Sequence, residues 1–274
     1  MNQIKSFFGS RSFTIVFGLF VVLILWRLGL VLFPQFNTDT NVQIWAASYQ
    51  FVAWCGAIIG FTFAKKWGGF KSLLGRTALA FSFGLLAQSF GQSVFSWYFY
   101  SGNTLPYPSL ADLGFFGSIP FYIYGTACLA KLAGSQFSLR SSLNKVWAVL
   151  IPVAILGASY LVFLKDYQFD PTQPVLKAFL DFGYPLGQAI YISLAIIAYI
   201  FSKNILGGVM RKAIILFIVA LAVQYAADYT FLYQSMHGTF VGGGVDDLMY
   251  LFAYFLMGTS LIQLGVIFHQ IKNA

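Results

Sequence analysis

Phe13-Thr-Ile-Val-Phe-Gly-Leu-Phe-Val-Val-Leu-Ile-Leu-Trp-Arg27-Leu-Gly-Leu-Val-Leu-Phe33 is a run of 21 residues with Arg27 as its one charge, and runs of this kind decide the fold. A bilayer core of roughly 30 Å is crossed by about 20 apolar residues in an α-helix. Seven further stretches approach or reach that length: 44–64, 78–99, 111–130, 147–164, 177–201, 213–233 and 247–268. The composition agrees. The 274-residue chain is 59% hydrophobic and 9% charged, with 31 Phe and a mean hydropathy of +0.76, more apolar than a soluble domain can bury. Connectors of about 8 to 15 residues leave no room for a soluble domain. The expected fold is all-α: a polytopic membrane protein with eight transmembrane helices.

Charge distribution orients it. Lys5, Arg11, Lys65, Lys66, Lys71, Arg76, Lys131, Arg140, Lys145, Lys203, Arg211, Lys212 and Lys272 fall in alternate loops or at the termini, and an excess of Lys and Arg marks the cytoplasmic side. All eight acidic residues are aspartates of the opposite, outer half, where Lys165 and Lys177 are the only loop bases. Both termini are therefore expected in the cytoplasm, with a bacterial inner membrane as the setting. The net charge of +8 follows from this asymmetry, with no need for a nucleic-acid partner. The first span contains Arg27 and lacks a small-x-small cleavage site, so it reads as a retained signal-anchor. Cys55 and Cys128 lie within spans and read as packing residues, not as an extracytoplasmic disulfide.

The chain also resembles itself. Gln88-Ser-Phe-Gly-Gln92-Ser-Val-Phe95, then Asp112-Leu-Gly-Phe115 and Gly125-Thr126, returns about 136 residues later as Gln224-Tyr-Ala-Ala-Asp228-Tyr-Thr-Phe231, Asp247-Leu-Met-Tyr250 and Gly258-Thr259. Lys65-Lys-Trp-Gly-Gly69 and Lys203-Asn-Ile-Leu-Gly-Gly208 keep a similar offset. This predicts two four-helix repeats, 1–135 and 136–274. Four is even, so both enter from one side and are parallel.

Polar groups inside spans are costly, about 2.5 to 3.5 kcal/mol for Asp or Arg at mid-helix, and need partners. Gln88 with Gln92, and Gln224 with Asp228, each share a helical face that should look into the bundle. Asp181 and Gln188 flank the Tyr184-Pro185 step, where proline removes a backbone hydrogen bond; Pro120 does the same in span four. Arg27 is the expected counter-charge for Asp181 or Asp228. The functional reading is a polar cavity open to the outer side, lined by Arg27, Gln92, Asp181, Tyr184, Gln188 and Asp228, with Trp97 as a wall. The plainer reading is that these groups only satisfy one another and lock the helices together.

Other features carry less chemistry. Ser109 is placed to N-cap span four, with Asp112 three residues on completing a capping-box-like pair. Asp246, Asp247, His237 and Asp112 could in principle hold a divalent cation, but no fixed ligand spacing accompanies them; Asp246 and Asp247 read as a solvated acidic cap, with Asp247 structural. Trp45, Trp54, Tyr98 and Tyr100 belong to interfacial belts or core. No Ser/His/Asp set, metal cluster or deep retinal-type lysine is present, so no metal or cofactor is expected and no enzyme activity either, chemistry on paired intramembrane aspartates being the one enzymatic alternative.

Gly91-Gln92 through Trp97, followed by Pro106-Tyr-Pro-Ser-Leu-Ala-Asp112-Leu-Gly-Phe-Phe, resembles the multi-span sensor module found ahead of bacterial diguanylate cyclase, phosphodiesterase or histidine-kinase domains. Asp181-Phe-Gly-Tyr-Pro-Leu-Gly-Gln188 resembles that module's Asp-x-x-Tyr-Pro-Leu element, in which an acid often stands at the position of Gln188. Asp228-Tyr and Asp247-Leu-Met-Tyr250 are similar to its last two spans. The resemblance implies sensing of a ligand or membrane state, with the signal leaving through span eight. After Gln263 there is no Gly-Gly-Asp-Glu-Phe signature and no kinase core, so output is expected through a membrane or cytoplasmic partner. The leading expectation is a sensory, ligand-binding membrane module taking a small ligand from the extracytoplasmic side. The alternatives are a small or proton-coupled transporter and a structural subunit of a membrane complex.

Overall fold

The computed structural model describes residues 7–102, 106–132, 142–165, 167–168, 170–202 and 210–272. Lys5, Arg140, Lys203 with the Lys203–Gly208 block, and Asp166 lie outside the described residues. Among the described residues, eight helices are long and apolar enough to cross a membrane. They are α1 (Arg11–Leu32), α2 (Asp39–Lys66), α3 (Leu73–Tyr100), α4 (Leu110–Leu132), α5 (Ser142–Ser159, continued by π-helical Tyr160–Leu164), α6 (Val175–Ser202), α7 (Arg211–Met236) and α8 (Val245–Lys272). The chain is an all-α polytopic membrane protein, and each expected span coincides with one of these helices to within a residue or lies inside it.

Local sequence starts the helices where caps are available. The side-chain oxygens of Ser10, Thr38 and Ser72 accept from the backbone N–H of Phe13, Asn41 and Gly75 at 3.2, 3.3 and 2.9 Å, meeting donors that a helix start leaves unpaired. Between α2 and α3 the chain turns at Gly68 (φ 88°) and Gly69 (φ 57°), a left-handed pair that side-chain-bearing residues rarely adopt. Proline interrupts neither α4 at Pro120 nor α6 at Pro185; both helices run through.

Six helices close a ring in the order α2, α3, α4, α6, α7, α8 and back to α2, each packed on the next. Helix α1 lies outside against α2 and α8, and α5 lies outside against α6. Burial follows this placement: 78% of the α8 span is buried, against 17% for α1 and 11% for α5. Lipid is as apolar as leucine, so close packing rather than water exclusion holds such helices together. At the α2–α8 seam, a Cβ on Gly56 would sit 3.3 Å from Gly258 Cα, so two glycines set the approach. Aromatic stacking fastens α1 to α8, with Phe20 and Phe255 ring centroids 4.1 Å apart. The α2 and α8 ends are tied by Lys66 Nζ to His269 Nε2 at 3.0 Å and by Trp67 Nε1 donating to Leu264 O at 3.0 Å. One end of the bundle is basic, carrying Lys65, Lys66, Arg76 and Lys131. The other is acidic, with Asp39, Asp112, Asp246 and Asp247 all in first helical turns, where the helix dipole favours a carboxylate.

Candidate functional site

Inside the ring, toward the acidic end, lies a cavity of about 540 Å³. All six ring helices line it, and neither α1 nor α5 does. From α3 the face at i, i+4, i+7, i+8 and i+11 supplies Gln88, Gln92, Phe95, Ser96 and Phe99. From α8 the face at i, i+3 and i+7 supplies Asp247, Tyr250 and Tyr254.

The floor is built around Asp228 on α7, which is 7% exposed. Its Oδ1 accepts from Gln224 Nε2 at 3.0 Å and Tyr250 OH at 2.9 Å, and its Oδ2 from Tyr191 OH at 2.8 Å. Three helices thus meet at one carboxylate. Beside it Tyr254 OH donates to Gln88 Oε1 at 3.1 Å, and Gln88 Nε2 to Ser118 Oγ at 2.8 Å, joining α8, α3 and α4. Gln92 Nε2 donates to Ala46 O at 3.2 Å. Toward the basic end the interior is closed by aromatic packing: Phe81 and Phe217 stack at 4.4 Å, and Phe81 lies 6.3 Å from Tyr122.

The wall and mouth are organised by Asp112 and Asp181. Asp112 Oδ2 accepts from Ser109 N at 2.7 Å, while Ser109 Oγ accepts from Ala111 N at 3.1 Å, which is the expected capping pair. The other oxygen, Oδ1, accepts from Tyr184 OH of α6 at 2.7 Å, so the cap residue also braces the cavity. Asp181 accepts from Tyr107 OH at 2.8 Å, Tyr167 OH at 3.0 Å and Lys177 Nζ at 3.1 Å. Burial, and then the Asp181 carboxylate, push the Tyr107 phenol above its ordinary value. A raised phenol keeps its proton longer in the fold. Its contribution is present below the ordinary tyrosine range near about pH 10 and fades only as pH rises through the raised value. In a spectrophotometric titration, Tyr107→Phe is expected to remove phenolate signal from the most alkaline part of the curve; loss near the ordinary range would contradict the Tyr107–Asp181 contact.

Of the residues expected to form the cavity, Gln92, Asp181, Tyr184, Gln188 and Asp228 do line it. Arg27 does not. It sits on α1, outside the ring, with its guanidinium carbon 5.6 Å from the Trp45 ring centroid, and its charge acts on Asp247. Trp97 is also misplaced by the sequence reading: one residue past Ser96 on α3, it is turned about 100° off the cavity face and is 61% exposed. Asp246 and Asp247 are not a solvated cap, being 0% and 5% exposed. Asp247 lines the cavity, accepts from Gly243 N at 2.6 Å and faces the Tyr49 hydroxyl. Among the described residues no group of three or more His, Cys, Asp or Glu is placed to hold a metal ion; His237 Nδ1 lies 2.8 Å from Tyr233 O instead. The tyrosines at 49, 191, 250 and 254 were not foreseen as site residues. Their sequence signal is the Asp247, Tyr250, Tyr254 spacing on one face.

No family model, no curated protein and no solved structure matches this chain.

Proposed function

We propose that this protein is a sensory, ligand-binding membrane module that admits a small molecule from the extracytoplasmic side into the six-helix cavity and signals through a partner protein. One observation carries the reading: a cavity of about 540 Å³ bounded by all six ring helices, with a buried, fully hydrogen-bonded carboxylate at its floor. Pockets of about 300 to 1,000 Å³ with apolar walls and a few convergent polar groups suit small ligands. A ligand there touches every ring helix at once, so binding can bias how they pack, and α8 runs from the cavity to the basic end as the natural output element. The basic loops support a bacterial inner-membrane setting with cytoplasmic termini. The neighbour order supports two parallel repeats, 1–135 and 136–274: α4 packs on α6 as α8 packs on α2, and α1 and α5 are both peripheral.

Accessibility tests it. With Cys55 and Cys128 replaced by alanine, Ser96→Cys in the cavity wall should react with a membrane-impermeant maleimide added outside intact cells, while Ser260→Cys, buried in α8, should not. Labelling of Ser96→Cys only from the cytoplasmic side, or not at all, would remove the reading. A carrier is the second reading, favoured by prolines in two cavity helices, α4 and α6, each of which removes one backbone hydrogen bond from a continuous helix and eases its bending. The aromatic packing between Phe81, Phe217 and Tyr122 opposes it, and solute flux into proteoliposomes would reinstate it.

A further inference from the structure

We propose that the cavity selects a cation with an apolar body, an aryl- or alkylammonium in class; this rests on the ligand-binding reading above. Four carboxylates lie on the lining, Asp112, Asp181, Asp228 and Asp247, against one cation, Lys177. Lys177 is already committed to Asp181 at 3.1 Å, and this is the one ion pair among the described residues.

The other three carboxylates are held by neutral donors. Asp228 has two phenols and an amide, Asp112 a phenol and the Ser109 backbone, Asp247 the Gly243 backbone and the Tyr49 phenol. Neutral donors satisfy the lone pairs and fix the carboxylates in place, yet bring no positive charge of their own. Arg27 acts on Asp247 from outside the ring, where it lies over Trp45, and does not line the cavity. An anion would meet this field at every approach.

A second, independent observation points the same way. Gln188 lines the cavity, is 3% exposed, and its Oε1 has no hydrogen-bond partner. A buried carbonyl oxygen without a donor is costly, and a ligand N–H would supply one. Five phenylalanines stand in the wall: Phe95, Phe99, Phe115, Phe231 and Phe240. Aromatic faces attract cations, by up to about 2 kcal/mol when desolvated, and accommodate an apolar body. A bare metal ion would find no grouping of three acids, histidines or cysteines among the described residues.

The test is calorimetry on the full chain in nanodiscs of zwitterionic lipid, which removes attraction of cations to anionic headgroups. The probes are benzylammonium, its neutral hydrocarbon counterpart ethylbenzene and the anion benzoate. Benzylammonium should bind at least about tenfold more tightly than ethylbenzene, benzoate should not bind, and Gln188→Leu and Asp228→Asn should each weaken benzylammonium about tenfold, the scale of one hydrogen bond to a charged group. Asp112→Asn serves where Asp228→Asn does not fold, and if neither variant folds the three-probe comparison on the native chain decides. Equal or tighter binding of ethylbenzene, preference for benzoate, or cation binding unchanged in the folded variants overturns the cation inference. So does binding by none of the three. In each case external labelling of Ser96→Cys still reports on the ligand-binding reading separately: labelling retained means that only the cation preference has failed, labelling lost means both have.

Discussion

Gly114→Val is expected to lower thermal stability sharply, while the same helix tolerates a side chain at Gly117. A Cβ at Gly114 would meet Gly91 N at 2.4 Å, Ala87 O at 2.5 Å and Gly91 Cα at 2.7 Å. All three are backbone atoms of α3, so no side chain can swing aside. The α3–α4 contact is the most extensive helix pair in the fold, and it would have to open. Overpacking a filled interior costs about 1 to 3 kcal/mol, and a backbone obstacle places this change at about 3 kcal/mol. Gly117, less than one turn further along α4, has nothing within 4 Å of an added Cβ. Gly117→Ala should therefore be neutral or stabilising by about 0.5 to 1 kcal/mol, through helix propensity alone. The check is the midpoint of thermal aggregation in detergent. If both variants melt with the native chain, the α3–α4 contact is looser than described.

The same displacement would reach the cavity, because α4 carries Asp112 two residues before Gly114. Moving α4 draws Asp112 away from Tyr184 of α6, which it meets at 2.7 Å. Stability and site geometry are coupled through that one bond, so a stability loss without any change in ligand access would separate the two roles.

Much of this architecture is legible in the sequence because bilayer thickness imposes a length on each helix and the four-residue spacing imposes a face. Gln224 and Asp228 share a face, and they do hydrogen-bond at 3.0 Å; Ser109 and Asp112 form the cap that their spacing implies. The partner of Arg27 is not legible in that way. Its side chain depends on which neighbours α1 chooses, and α1 is apolar on all sides, so nothing in its sequence separates a ring helix from a peripheral one. The donors to Asp228 are hidden for a related reason: Tyr191 and Tyr250 come from helices separated from it by 37 and 22 positions, and a tyrosine in a membrane span reads equally as belt, core or hydrogen-bond donor. Asp246 and Asp247 misled because acidic residues at a helix start usually face water. Here the ring closes over them.

Asp228→Leu should also be strongly destabilising, and the comparison with Asp228→Asn tells why. Leucine fills much of the same volume but accepts nothing, leaving Tyr191 OH, Tyr250 OH and Gln224 Nε2 without their acceptor in a site that is 7% exposed. Polar contacts between helices in a bilayer average about 0.6 kcal/mol each, so the two tyrosine contacts give about 1 kcal/mol, and the stranded buried donors, the Gln224 amide of α7 itself among them, raise the cost further. Asparagine keeps one acceptor oxygen, able to serve Tyr250 and Gln224, while its amide can donate to the Tyr191 hydroxyl oxygen once that hydroxyl rotates. It should therefore retain most of the stability that leucine loses while removing the charge. A midpoint for Asp228→Leu at or above that of the native chain would mean that the carboxylate is a cost tolerated at this position and not the joint of α6, α7 and α8. The expected order, native chain above Asn and Asn well above Leu, is what a hydrogen-bonded floor requires, and it leaves Asp228→Asn folded and usable for measuring what the charge itself does.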